Sequence, residues 1–298
     1  MLAVQGIGKN NLPIPGGDGR ARQRRMFEAR RQTTRTRSAL SVLDLIYHSA
    51  VRDVRKSHRN ALAGLAMNVV QTLTFVLAFY LMFTLLGARG NSVRGDFLLY
   101  LMSGIFLFLT HIKAMGAVVK AEGPTSPIMQ HLPLNSAITI AAAALGALYI
   151  QILSLTVVLF LYHVLITPVI IDRPIGAMAM LLAAWFTGVG IGLIFVAIKP
   201  WLPEFTTIGS SVWSRANMIF SGKMFVANSL PGYLLVLFDW NPLFHIIDQA
   251  RGYVFINYNP HFTSSTYPVY VGIGLLVVGM MGEFVTRRHA SRSWGAAR

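Results

Sequence analysis

From residue 60 onward, long apolar runs alternate with short polar or basic breaks. The runs cover 61–86, 97–119, 135–166, 175–198, 205–226 and 267–286. Each reaches the roughly 20 residues that an α-helix needs to cross a bilayer. None alternates residue by residue, so the pattern predicts helices and not barrel strands. The run 135–166 is long enough to require tilt. Between the fifth and sixth runs lies SGKMFVANSLPGYLLVLFDWNPLFHIIDQARGYVFINYNP, apolar but cut by Pro231, Gly232, Asp239, Asn241, Pro242, Asp248, Arg251 and Pro260. Broken backbone at membrane depth must be buried in protein or face a watery cavity. Two short helices, 229–238 and 242–256, joined at Trp240-Asn241-Pro242, meet that demand by dipping into one leaflet and returning. Ahead of the first run, Leu43, Ile46, Tyr47, Ala50 and Val54 fall at helical spacing, followed by Arg52, Arg55, Lys56 and Arg59. This predicts an amphipathic helix over 39–59 on the membrane surface. A plain stem entering the first span is the alternative. The expected fold is therefore all-α and membrane-integral. It has six transmembrane helices, an N-terminal interfacial helix and an external re-entrant hairpin between helices five and six. Residues 1–38 form a basic disordered tail and 39–298 the membrane domain.

Composition sharpens this reading. Of 298 residues, 54% are hydrophobic and only 12% charged, about half the charged share of a soluble domain. The net charge of +15 invites a nucleic-acid partner, but its distribution opposes one. Thirteen of the 26 Lys and Arg precede residue 60, as the positive-inside rule expects of a cytoplasmic tail. With six spans, the inner segments hold nineteen cations and the outer ones five. Both termini are then cytoplasmic and the hairpin is external. No apolar stretch within the first 30 residues reads as a secretory signal. An organelle transit peptide is the lesser alternative for this Arg-rich start.

The chain carries no engine of its own. It has no GxxxxGK[ST], no HExxH, no G-x-S-x-G and no cysteine, so it has no phosphate-binding loop and no thiolate metal site. No catalytic or metal residues are expected, and no cofactor. Carboxylates suited to ion coupling are nearly absent from the apolar part, which holds Glu283 and Asp248. Uphill transport must then draw on a separate ATPase. Asn68, Gln71 and Thr72 share one face of the first span and serve either helix pairing or a pore lining. His111 and Lys113 lie in the second span, where Lys113 can snorkel. Gly188 and Gly192 have small-xxx-small spacing for close helix packing. Arg215 in the fifth run must find a partner or an anionic substrate. His245, Asp248 and Arg251 recur every three residues and form a ladder able to make local hydrogen bonds. It braces the hairpin or gates an exit. Phe225, Tyr233, Tyr253 and Tyr258 belong to an aromatic cluster that reads as an interfacial belt or as a stacking surface for sugar rings. In KAEGPTSPIMQHLPL, Ser126 is a candidate N-cap with Pro127 at the first helical position. A short helix of Ile128, Met129, Gln130, His131 and Leu132 follows.

The sequence SGKMFVANSLP followed by WNPLFHIIDQARGYVF resembles the membrane subunit of bacterial ABC exporters for capsular and other cell-surface polysaccharides. The resemblance rests on Ser221, Gly222, Phe225, Leu230, Pro231, Trp240, Asn241, Pro242, Leu243, His245 and Arg251. It implies a homodimer in a bacterial inner membrane, with cytosolic ATP-binding subunits that hold the ATP-Mg. The short helix Ser126–Leu132 would then couple to the ATPase. The cargo would be a lipid-linked or nascent polysaccharide, passed to periplasmic and outer-membrane export proteins. Lipid or drug export is the near alternative. A glycan-assembly enzyme, a scaffold or a channel is the distant one.

Overall fold

The computed structural model describes residues 44–52, 61–87, 96–121 and 136–295. Residues 44–52 are helical, within the expected interfacial helix. The basic tail 1–38 and the coupling segment Ser126–Leu132 lie outside the described residues. The main helices are α1 (Ala61–Leu85), α2 (Phe97–Lys120), α3 (Ser136–Leu165), α4 (Pro174–Ile198), α5 (Pro203–Phe220), α6 (Gly232–Asp239), α7 (Pro242–Val254) and α8 (Tyr267–Gly295). Among the described residues there are no strands.

Among the described residues, five helices are long and apolar enough to cross a membrane: α1, α2, α3, α4 and the Tyr267–Thr286 part of α8. The fifth predicted run departs from expectation. The apolar run covers 205–226, but α5 spans only 18 residues, about 27 Å at helical rise. It also carries Thr206, Thr207, Ser210, Ser211, Ser214, Arg215 and Asn217. It stops at Phe220 because Ser221 caps it and Gly222 turns to φ +68°, a left-handed step that glycine takes without strain. A Cβ at Gly222 would also run into the Phe244 ring. The hairpin helices α6 and α7 lie close to the predicted ranges, with a 3-10 turn at Ala227–Ser229 in place of the first helix's start.

The core is built on α2 and α4, with α7 wedged beside them. Leu101, Met102, Ile105, Phe106 and Leu109 of α2 pack into one cluster with Leu181 and Ala184 of α4 and Leu243, Ile246, Ile247 and Ala250 of α7. The predicted pair Gly188 and Gly192 supplies the close approach of α4 to α2. A Cβ at Gly188 would collide with the His111 carbonyl, and one at Gly192 would sit 2.8 Å from Val118 Cβ. By contrast, α1 and α8 leave most of their apolar surface open, Met67, Val70, Tyr270 and Met281 among it. That is ordinary where hydrocarbon tails are the solvent.

Gly188→Leu should overpack this interface at a cost of about 1–3 kcal/mol. Thermal unfolding of the detergent-purified protein checks it. An unchanged melting temperature would contradict the packing described.

Candidate functional site

The polar face of α7 is where distant segments meet. The helix starts on Asn241, whose Oδ1 accepts from the Leu243 N–H at 3.0 Å, with Pro242 in the first turn. The same side chain donates from Nδ2 to Asn217 Oδ1 (2.9 Å) and to the Phe220 carbonyl (3.0 Å). A helix cap thereby also ties α7 to the end of α5.

His245, Asp248 and Arg251 share this face as predicted, but they do not bond to one another. Each reaches a separate stretch of chain. His245 Nε2 donates to the Asp239 carbonyl at 2.7 Å, and its Nδ1 accepts from the Ser264 N–H at 3.0 Å. Asp248 accepts from the Ala227 N–H (3.0 Å), Tyr258 Oη (2.5 Å) and Thr263 Oγ1 (2.8 Å). Burial and the Asp248 carboxylate hold the Tyr258 phenol well above its ordinary value of 10.0. Arg251 is fully buried and donates to three carbonyls: Gly222 at 3.0 Å, Lys223 at 2.5 Å and Phe225 at 2.5 Å. Its guanidinium stacks 4.1 Å from the Tyr100 ring centroid. It forms no ion pair among the described residues. Helix spacing displays a ladder but cannot show which remote backbone it serves.

In the sequence Lys223 is one of the five cations of the outer segments. It is 2% exposed. Its Nζ donates to the Met218 carbonyl at 2.9 Å and lies 3.8 Å from the Phe108 ring centroid, so cation–π attraction offsets part of its desolvation. Its position inside the Ser-Gly-Lys turn was the available signal.

The remaining candidates are dispersed. Asn68 is buried and donates to Ser154 Oγ (3.0 Å), while Gln151 donates to its Oδ1 (3.3 Å), so it joins α1 to α3. Gln71 is exposed and accepts from Lys113 Nζ at 2.5 Å. Arg215 is exposed on α5. Phe225 packs edge-on against Phe238 at 5.0 Å. Tyr233 is open, Tyr253 half-buried beside Gly176, and Tyr258 buried on Asp248. Trp240 is half-exposed, its ring against Trp213 and Phe220. Trp213 was not anticipated. Its Nε1 donates to His111 Nε2 (3.4 Å), and His111 Nδ1 turns to the Ala184 carbonyl (3.2 Å). This ring pair holds the middle of α5 to the core, as Thr206 Oγ1 against the Phe195 carbonyl (3.4 Å) holds its start.

This arrangement ties remote stretches of backbone to one helix face. Among the described residues no three His, Cys, Asp or Glu gather as a metal site. Residues 45–255, most of the chain, match the ABC-2 type transporter membrane family. The chain belongs to the ABC-2 type transporter family. A search of curated proteins found no match. As an ABC-2 protein it is a multi-pass membrane component of an ABC transporter, and membership implies a partner subunit that binds ATP.

Arg251→Ala should cost on the order of 3 kcal/mol, since it strands three buried carbonyls. Arg251→Lys should recover little, because an ammonium lacks the fork. Chemical denaturation in detergent checks both, and a Lys variant as stable as the parent would contradict the clamp. Tyr258 should also lend alkaline sensitivity. Its folded pKa lies above the unfolded value, so its contribution is complete below about pH 10 and falls as pH rises beyond it. Tyr258→Phe should flatten the decline in melting temperature above about pH 10.

Proposed function

We propose that this chain is the permease half of an ATP-driven exporter of a capsular or other cell-surface polysaccharide. The observation that carries the reading is α5. It is of membrane-spanning length, yet its polar residues Thr207, Ser211 and Arg215 are exposed in the single chain. Polar side chains at membrane depth must face protein or water. We count α5 as the sixth crossing and place a second copy of the chain opposite it, so that a watery path runs between the two. Six spans then keep both termini in the cytoplasm of a bacterial inner membrane, with α6 and α7 as the outer re-entrant hairpin.

Arg215 and Lys113 favour an anionic cargo. Arg215 has no ion pair among the described residues, and the only partner shown for the Lys113 amine is the neutral Gln71 amide. The open rings of Tyr233, Trp240, Phe262 and Tyr270 offer stacking faces for sugar C–H surfaces. These features support a glycan, lipid-linked or nascent, over a drug-like cargo. The ATP-binding subunits hold the ATP-Mg. They dock on Ser126–Leu132 and on the 39–59 helix, and shift the two permeases between arrangements. Periplasmic and outer-membrane export proteins receive the chain.

The test is co-purification under gentle detergent. A stoichiometric ATPase should accompany the tagged protein, and Ile128→Asp with Leu132→Asp should release it. A protein that arrives alone contradicts the proposal. For cargo, Arg215→Glu should lower export of an anionic glycan about tenfold, which is about 1.4 kcal/mol, while Arg215→Lys keeps it. Equal export by both variants would point to a neutral or lipid cargo.

A further inference from the structure

Where α4 and the membrane part of α8 end, an open groove of about 530 Å³ runs between them. Ala197, Ile198, Val278, Met281 and Val285 line it, and Trp201 stands beside them. The few polar atoms in its wall are paired with one another. Trp201 Nε1 donates to Thr286 Oγ1 (3.1 Å), and Thr286 Oγ1 donates to the Ala197 carbonyl (2.9 Å). What the groove presents outward is therefore hydrocarbon.

Its rim has a different chemistry. Arg288 and His289 follow Val285 by three and four residues, so they lie one helical turn beyond it on the same face. His289 packs edge-on against Trp201 with ring centroids 5.9 Å apart, and Arg288 is exposed. The groove ends with the apolar part of α8 at Thr286, the depth at which acyl chains meet headgroups. A tryptophan at that level is a usual interfacial anchor. A cation just beyond it attracts anionic lipid over neutral lipid.

We propose that this groove is a binding site for an anionic phospholipid. One acyl chain lies along Val278, Met281 and Val285, and the phosphate sits at Arg288 beside Trp201. The site is separate from the glycan path and does not depend on the cargo or on which leaflet is adjacent.

The test uses the full chain in phosphatidylcholine nanodiscs with about 10 mol% of a lipid whose acyl chains are dibrominated, a contact quencher of tryptophan. The difference between the parent and Trp201→Phe isolates the Trp201 emission. Brominated phosphatidylglycerol should bind at Trp201 about fivefold more strongly than brominated phosphatidylcholine, the preference that one cation at the membrane surface gives. Arg288→Glu should remove that preference, and Arg288→Lys, which keeps the charge, should retain it. Val278→Phe with Met281→Phe should fill the groove and weaken quenching by phosphatidylglycerol. Equal quenching by the two headgroups would mean ordinary boundary lipid and would overturn the site. Quenching by neither would mean that protein covers the groove, and would overturn it too.

Discussion

The buried Arg251 guanidinium, forked into the carbonyls of Gly222, Lys223 and Phe225, is the contact on which the rest depends. A fully desolvated cation is costly unless its donors are matched. Here neutral backbone supplies the match for the two terminal nitrogens, Nη1 and Nη2, while Nε is buried without a partner. Three carbonyls converge because Gly222 turns the chain through φ +68° at the end of α5 and the next residues fold back over α7. The Tyr100 ring closes the remaining side. The clamp thereby joins α2, α7 and the end of α5. Asp248 extends the hold to Ala227, Tyr258 and Thr263, and His245 extends it to Ser264.

Around this hub the molecule has two mechanical classes. The helices α2, α4 and α7 share one continuous buried apolar core, so they form a tightly packed block. In contrast α5 buries only Thr206 and Asn217. It is held at its start through Thr206 and the Phe195 carbonyl, at its middle through Trp213 and His111 and at its end through Asn217 and Asn241. A helix with few anchors and an open polar face is suited to line a path and to change position. A tightly packed block is suited to pass on a push from a bound ATPase. The proposed exporter uses both.

The apolar spans were legible because lipid imposes a length and a composition on any helix that crosses it. The limits of α2, α3 and α4 follow the sequence to within a residue or two for that reason. The short helices α6 and α7 were legible from the prolines that bound them. The ladder of His245, Asp248 and Arg251 was legible as a shared face but not as a hub. Helical spacing places three side chains together and says nothing about the loops they reach. The end of α5 was overextended for a related reason: Met224, Phe225 and Val226 continue the apolar run, while the backbone has already turned at Gly222. Asn68 illustrates the same limit, since its partners Ser154 and Gln151 are more than eighty residues away.

The most direct test of the account is transport itself. The protein and its co-purified ATPase would be reconstituted together into liposomes, with an anionic cell-surface polysaccharide supplied on the ATPase side. The account predicts that ATP, and not a non-hydrolysable analogue, moves the glycan to a compartment where an added glycosidase cannot reach it. Glycan that stays accessible with ATP, or that crosses equally well without it, would contradict the claim that this chain is the membrane path of an ATP-driven polysaccharide exporter.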